Sequence, residues 1–198
     1  MAKKAESTLK NMLISLTVIA FVASLALALV NNMTKGPIEE VNKKKIADAV
    51  AKVLPPYETY SVDTVTVAMA KGPAALVRYT ATGADGALVG KAVETFDPDG
   101  FGGKLSAMVG FDADGNITGY EILGSSETPG LGAKADQWFQ KDSKGNVIGM
   151  NPAEGMKVKK DGGAVDAITG STITSRAFCR LVEAAYEAFN NENGGNAE

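Results

Sequence analysis

The chain has 198 residues, of which 22% are charged and 45% hydrophobic, and a net charge of −3. That is the composition of a globular protein, and without a basic excess it does not point to nucleic acid. There is no histidine and only one cysteine, Cys179. This excludes Ser-His-Asp and Cys-His catalysis, His-ligated haem or zinc, iron–sulfur clusters and an internal disulfide, so any redox role needs an organic cofactor.

Taken in chain order, residues 1–11 form a short N-terminal segment carrying Lys3, Lys4 and Lys10. Residues 12–30 contain no charge and no proline, close to the roughly 20 apolar residues needed to cross a bilayer. A cleaved signal peptide and a buried core helix are the alternatives. The stretch is long for a signal sequence and Asn31-Asn32-Met33 is a poor cleavage site, which favours a retained anchor. Lys35, Lys43, Lys44 and Lys45 follow the span, so the positive charges on its two sides nearly balance and fix its direction only weakly.

Residues 31–56 read as a stalk. After Gly36-Pro37, the residues Ile38, Val41, Ile46, Ala49, Val50 and Val53 recur at helical spacing, and Pro55-Pro56 ends the pattern. Residues 57–190 read as one domain. Strand signals cover 64–70, 75–81, 87–95, 104–111 and 116–123. Residues 82–86 and 112–115 read as hairpin connections, and Asp97-Pro98-Asp99-Gly100 as a turn. Asp112-Ala113-Asp114-Gly115 begins like a calcium loop but lacks the remaining ligands and the closing glutamate, so no metal is expected.

Glu127-Thr128-Pro129-Gly130-Leu131-Gly132 then interrupts the strands with a tight turn where backbone can approach a ligand closely. Lys134 starts a short helix in which Trp138 and Phe139 pack inward. The last helix covers 171–190, with Ile173, Ala177, Leu181, Ala184 and Ala188 on one apolar face and Cys179 as a small packed residue. Residues 191–198 are a polar tail. Grouped strands with helices before and after give an α+β class: a single N-terminal transmembrane helix, then a mostly antiparallel sheet with flanking helices.

Asp166-Ala167-Ile168-Thr169-Gly170-Ser171-Thr172 leads into that last helix. Two readings are open from the residues alone. Thr169 or Ser171 could be an ordinary cap, accepting from free helix N–H groups. Alternatively the N-terminus, with Gly170 allowing close approach, could hold a phosphate. No Gly-Lys-[Ser/Thr] follows, so this is not a Walker loop.

The heptad resembles the flavinylation motif Asp-x-x-[Ser/Thr]-Gly-Ala-[Thr/Ser] of FMN-binding subunits in Rnf and Na⁺-translocating NADH:quinone reductase complexes. Residues 127–132 resemble the same family's second hallmark, a loop near the flavin. The single span adds to the likeness, and the length suits the Rnf G subunit better than its longer quinone-reductase counterpart. The resemblance implies that 57–190 is an FMN-binding domain outside the cytoplasm, anchored in the bacterial cytoplasmic membrane with its N-terminus inside. It implies covalent FMN, esterified through its phosphate to Thr172 by a flavin transferase. Glu127, Thr128, Pro129, Gly130, Leu131, Gly132, Asp166, Thr169, Gly170 and Ser171 are the implied cofactor-binding residues. Lys134, Lys157 and Lys159 are possible neighbours of flavin carbonyls or phosphate. Ser171 departs from the usual alanine and puts a second hydroxyl beside the acceptor. The implied role is electron transfer within an ion-translocating ferredoxin:NAD⁺ oxidoreductase, with other membrane and peripheral subunits as partners. No residue of this chain looks like a catalytic nicotinamide site. A standalone anchored flavoprotein and a non-redox anchored binding module are the rival readings.

Overall fold

A computed structural model describes residues 8–191 and 195–196. Most of the 1–11 segment and of the 191–198 tail therefore lies outside the described residues. The chain divides into two compact units, Met1–Lys44 and Lys45–Glu198. The first helix, α1, is Leu9–Val53, and it contains Pro37 rather than breaking there. The expected span and stalk thus belong to one helical element.

In the first unit the helix is exposed throughout its apolar stretch, with Leu13, Ile14, Phe21, Val22 and Leu27 all open. It is the one helix among the described residues long and apolar enough to cross a membrane, which suits an anchor or a signal. Two of its hydroxyls are turned back onto the helix: Thr17 Oγ1 donates to Leu13 O at 2.9 Å and Thr34 Oγ1 to Val30 O at 2.8 Å. Such bonds satisfy those donors within the helix itself.

The second unit is built on an antiparallel sheet of β1 (Thr59–Met69), β2 (Gly72–Thr82), β3 (Leu88–Gly100), β4 (Gly103–Asp112) and β5 (Ile117–Gly124). Spatial order follows chain order, and the two-residue strand β6 (Gly195–Asn196) pairs with β1 at the far edge. Side chains alternate across the sheet. Leu105, Ala107, Val109 and Phe111 of β4 face one core, while Met108 faces the other. β3 runs through the predicted turn at 97–100, and the reversal comes instead at Gly100 and Gly103. Asp97 stays in the strand because its carboxylate, 3% exposed, takes a bidentate pair from Arg180 at 2.8 Å.

Ala49, Val50 and Val53 at the end of α1 cover the Met108 face. Glycines make that approach possible. Gly110 and Gly119 are directly paired across β4 and β5. A Cβ on Gly110 would lie 2.2 Å from Val53 O, and one on Gly119 would lie 3.1 Å from Val53 Cα. Thr118 Oγ1 donates to the same Val53 carbonyl, satisfying a helix-end acceptor.

The opposite face is covered by α3 (Thr172–Asn190), through Ala177, Phe178, Leu181, Val182, Ala185 and Ala188. Phe139 stacks on Phe178 with ring centroids 4.0 Å apart. The helix end is held by Arg78 of β2, which is 6% exposed. Its guanidinium pairs with Asp63 across the β1–β2 register and donates to Ala188 O at 2.8 Å and to Asn191 O. A cation at a helix C-terminus also meets the negative end of the dipole. With its C-terminal end fixed and its body packed, α3 projects its N-terminus into a defined place.

Candidate functional site

The start of α3 is a tight turn with a definite cause. Gly170 adopts φ 77°, the left-handed region that favours glycine. Ser171 N donates to Ile168 O at 2.9 Å, closing the turn. Ser175 locks it from beneath: its Oγ accepts from Ile168 N at 2.9 Å and donates to Ser171 O at 2.9 Å. Ser175 is fully buried. Ser171 is the N-cap residue, yet its side chain makes no cap hydrogen bond. The first-turn N–H groups of α3 therefore keep their capacity for an external acceptor, and the ordinary-cap reading loses its bond.

A second segment meets this turn. After β5, Leu131 N and Ala133 N both donate to Thr128 O, at 3.1 and 3.2 Å. Pro129 and Gly130, the latter at φ 77°, occupy the centre of that reversal, the residue pair such a turn favours. A 3-10 turn, Gly132–Lys134, and a single helical turn, α2 (Ala135–Trp138), follow. Tyr120 OH donates to Ala135 O at 2.6 Å and accepts from Phe139 N at 3.2 Å. Burial pushes the Tyr120 phenol well above its ordinary pKa. Trp138 Nε1 donates to Asp166 O at 2.9 Å, joining α2 to the first residue of the heptad.

Between them lies an open cleft of about 270 Å³, lined by Phe101, Glu127, Thr128, Leu131, Gly132, Gly170, Ser171, Thr172, Ile173 and Thr174. Thr172 is half-buried at the first residue of α3. Thr174 is fully buried, and its Oγ1 donates to Glu127 Oε2 at 2.9 Å. Gly132 permits that pairing, since a Cβ there would lie 2.4 Å from Glu127 Oε2 and 2.6 Å from Thr174 Oγ1. Glu127 is 8% exposed, and its Oε1 is the one buried side-chain N or O atom without a partner among the described residues. A buried acceptor left open in a cleft is an invitation to a donor. Phe101, Leu131 and Ile173 add apolar walls, and all three are exposed, at 68%, 44% and 49%.

Of the residues expected from sequence, Glu127, Thr128, Leu131, Gly132, Gly170, Ser171 and Thr172 come together here. Pro129 and Gly130 shape the loop without lining the cleft. Thr169 is exposed beside it. Asp166 lies back from it, its carboxylate paired with Lys159 at 2.7 Å. Lys134 and Lys157 are exposed and line no part of it. Four further residues belong to the site without any signal in the motifs. Ile173, expected on the core face of the last helix, is instead exposed and lines the cleft. Phe101 arrives from the tip of the β3–β4 hairpin, where the run Gly100-Phe101-Gly102-Gly103 holds an aromatic among glycines. Thr174 proves to be a buried partner of Glu127. Lys160 places its Nζ 3.5 Å from Thr172 Oγ1.

The FMN-binding domain family matches residues 100–187, a stretch that holds both motifs and Phe101. Over 188 residues the chain is 36% identical to the G subunit of the Na⁺-translocating ferredoxin:NAD⁺ oxidoreductase complex of Acetobacterium woodii, covering 89% of each protein. It is 34% identical over 190 residues to the G subunit of the ion-translocating oxidoreductase complex of Yersinia pestis, covering 90% of this chain and 88% of that one. With the corresponding G subunit of Vibrio atlanticus it shares 31% over 192 residues, covering 93% and 91%. The protein thus belongs to the G-subunit family of ion-translocating (Rnf-type) oxidoreductase complexes and carries that family's FMN-binding domain.

Proposed function

We propose that this chain is the membrane-anchored flavin carrier of an Rnf-type ferredoxin:NAD⁺ oxidoreductase, with FMN tethered through its phosphate to Thr172. The observation that carries this reading is the position of Thr172. It is the half-buried first residue of α3, it lines the cleft, and no Ser171 side-chain bond occupies the helix N-terminus above it.

The residues present fit FMN. A phosphate suits the free N–H groups and the positive end of the helix dipole. Gly170 has no side chain, and a Cβ there would lie 3.4 Å from Leu131 Cδ2. The unpartnered Glu127 Oε1 offers an acceptor to a hydroxyl or N–H of the bound group. Phe101, Leu131 and Ile173 offer apolar contact. The cleft is just below the roughly 300–1,000 Å³ of sites that enclose a whole small molecule, so it suits part of the cofactor and leaves the rest accessible to partners. When bound, FMN supplies reversible one- and two-electron chemistry.

Attachment forms one P–O bond at Thr172 Oγ1. The hydroxyl proton departs, and the leaving group of an activated flavin phosphate departs from phosphorus, so the chain gains FMN less water. A flavin transferase supplies that step. The tether keeps the cofactor from diffusing away from a domain that we place outside the cytoplasm, with the N-terminus inside and α1 as the anchor. Electrons then pass between this protein and cofactors in neighbouring subunits, and the ferredoxin and NAD⁺ chemistry belongs to the assembly.

The test is an intact mass with in-gel flavin fluorescence after denaturation, on full-length protein from its host or matured with its transferase. A gain of FMN less water on the Thr172 peptide is the expected result, and Thr172→Ala should abolish it without unfolding the protein. An unmodified wild-type chain, or retained covalent flavin in Thr172→Ala, would refute the assignment. In the second case Ser171 becomes the acceptor to examine.

A further inference from the structure

Residues Lys159, Lys160 and Asp161 form a 3-10 turn whose three side chains reach three separate points of the flavin motif and α3. The turn is rigidly framed. Val158 and Val165 form a parallel bridge. Lys159 N donates to Val165 O at 2.8 Å, Val165 N to Lys157 O at 3.0 Å and Gly163 N to Val158 O at 3.2 Å. Gly162 closes the turn at φ 83°. Gly163 is equally constrained, since a Cβ there would lie 2.1 Å from Lys157 O.

The outer two side chains fasten this frame to its surroundings. Lys159 Nζ pairs with Asp166 at 2.7 Å. Asp161 accepts a bidentate pair from Arg176 Nε and a terminal nitrogen, both at 2.7 Å. Arg176 follows Thr172 by one helical turn and so points from the same region of α3. Lys160, held between two anchored neighbours, has its Nζ 3.5 Å from Thr172 Oγ1. Lys159 and Arg176 each meet a carboxylate, whereas the hydrogen-bond partner of Lys160 is a neutral hydroxyl. Lys160 does not line the cleft itself, so its charge stands at the attachment point and not along the cleft.

We infer that Lys160 is the cation of the phosphoester site, pairing with the flavin phosphate once it is joined to Thr172. The inference rests on the Thr172 tether proposed above. It gives the motif aspartate a physical role as well: Asp166 neutralises Lys159 and anchors the turn that presents Lys160. During attachment Thr172 Oγ1 bonds to phosphorus and its proton passes to solvent, while the phosphoanhydride P–O bond of the donor breaks and the nucleotide leaves with that bond's electron pair. Charge accumulates on the phosphoryl oxygens at that moment, and an ammonium beside Oγ1 stabilises it.

The experiment uses full-length apo-protein in detergent, its flavin transferase, and flavin adenine dinucleotide as the phosphoanhydride donor. Initial loading rates come from in-gel fluorescence, and the loaded product is examined by phosphorus-31 NMR. Lys160→Gln should load about two- to fivefold more slowly, the upper part of the range for an exposed charge contact. Lys160→Arg should recover most of that rate. The phosphodiester resonance should move in Lys160→Gln and return toward the wild-type position in Lys160→Arg. Lys157→Gln, on the same loop, should match wild type in both measurements. Unchanged loading and an unchanged resonance in Lys160→Gln would overturn the inference while leaving the tether intact. Slow loading with an unchanged resonance would also overturn it, because Lys160 would then serve the transferase and not the phosphate. Absence of flavin from wild-type Thr172 would instead overturn the reading beneath it.

Discussion

Ser175→Ala tests whether the flavin turn is held from beneath by a single buried hydroxyl. In the wild type, Ser175 Oγ accepts from Ile168 N and donates to Ser171 O, both at 2.9 Å, at a position with no solvent access. The substitution affects the two ends differently. Ser171 O keeps its bond from Ser175 N at 3.0 Å, so that end loses only the net worth of one hydrogen bond, about 0.5–1.5 kcal/mol. Ile168 is 2% exposed, so its N–H is left unsatisfied at a cost of about 1–3 kcal/mol. Better helix propensity of alanine returns up to about 0.7 kcal/mol. The net expectation is a loss of about 1–4 kcal/mol, or a fall in Tm of roughly 2–16 °C for a chain of this size. Thermal unfolding of the full-length apo-protein in detergent measures it, with the exposed Ser126→Ala as a control expected within about 0.5 kcal/mol of wild type. Loading by the transferase should slow in parallel, because Thr172 follows the turn that Ser175 fixes. A loss under about 0.5 kcal/mol with normal loading would show that the turn is held by other contacts and would refute the reasoning.

Thr174→Ala should keep covalent flavin, because its buried hydroxyl is committed to Glu127 and is not presented for esterification. It should nevertheless lower stability by about 1–3 kcal/mol, since both carboxylate oxygens would then be buried without a partner. Intact mass and thermal unfolding check the two halves, and loss of flavin with normal stability would reverse the assignment. Cys179 should resist thiol reagents at pH 8 until the protein unfolds. It is 3% exposed, and burial, then the nearby Glu183 carboxylate, push its thiol up to about 12, leaving on the order of one thiolate in ten thousand. Because the folded state favours the neutral thiol, this contribution is present below the ordinary thiol pKa and is lost as pH rises toward 12. Cys179→Ala should therefore flatten the alkaline fall in stability, and rapid native labelling at pH 8 would contradict the burial argument.

The domain was legible where the pattern is local. β4 and β5 are flanked by turn residues, and 112–115 reverse the chain with Asp112 Oδ1 accepting from Asp114 N and Asn116 N, at 3.0 and 2.8 Å. The last helix shows its stripe in the sequence because Ala177, Leu181, Ala184 and Ala188 all join the one buried core, while Ile173 turns out to the cleft. Legibility fails where a distant partner decides. Asp97-Pro98-Asp99-Gly100 has turn composition, but Arg180, far along the chain, holds Asp97 in the strand. The stripe Ile38, Val41, Ile46, Ala49, Val50 and Val53 looks uniform, yet only its later members find the sheet, at the place where Gly110 and Gly119 leave room for Val53. Those glycines are unremarkable in sequence, and their purpose appears only when the opposing backbone is present.

The site divides along the same line. A short motif encodes most of its own backbone: Pro129-Gly130 reverses the loop and Gly170 takes φ 77°, with Ser175 from the following helix turn as the added brace. Side-chain direction is not encoded that way. Among the lysines of residues 157–160, Lys157 and Lys159 are the ones expected from sequence, whereas Lys160 is the one whose Nζ lies 3.5 Å from Thr172 Oγ1. The choice falls to the parallel bridge between Val158 and Val165, which sets the rotation of the 3-10 turn. Once that rotation is fixed, Lys159 must meet Asp166, Asp161 must meet Arg176, and Lys160 is left facing Thr172. The motif aspartate is thus explained by a residue outside the motif. Its carboxylate lies away from the cleft, paired with Lys159, and on the proposal above it acts on the phosphate only through the turn that presents Lys160. Swapping that order, by Lys159→Gln with Lys160 intact, removes an anchor but keeps the cation. It should therefore slow loading less than Lys160→Gln does, and the opposite ranking would mean that Lys159 carries the charge the phosphate needs.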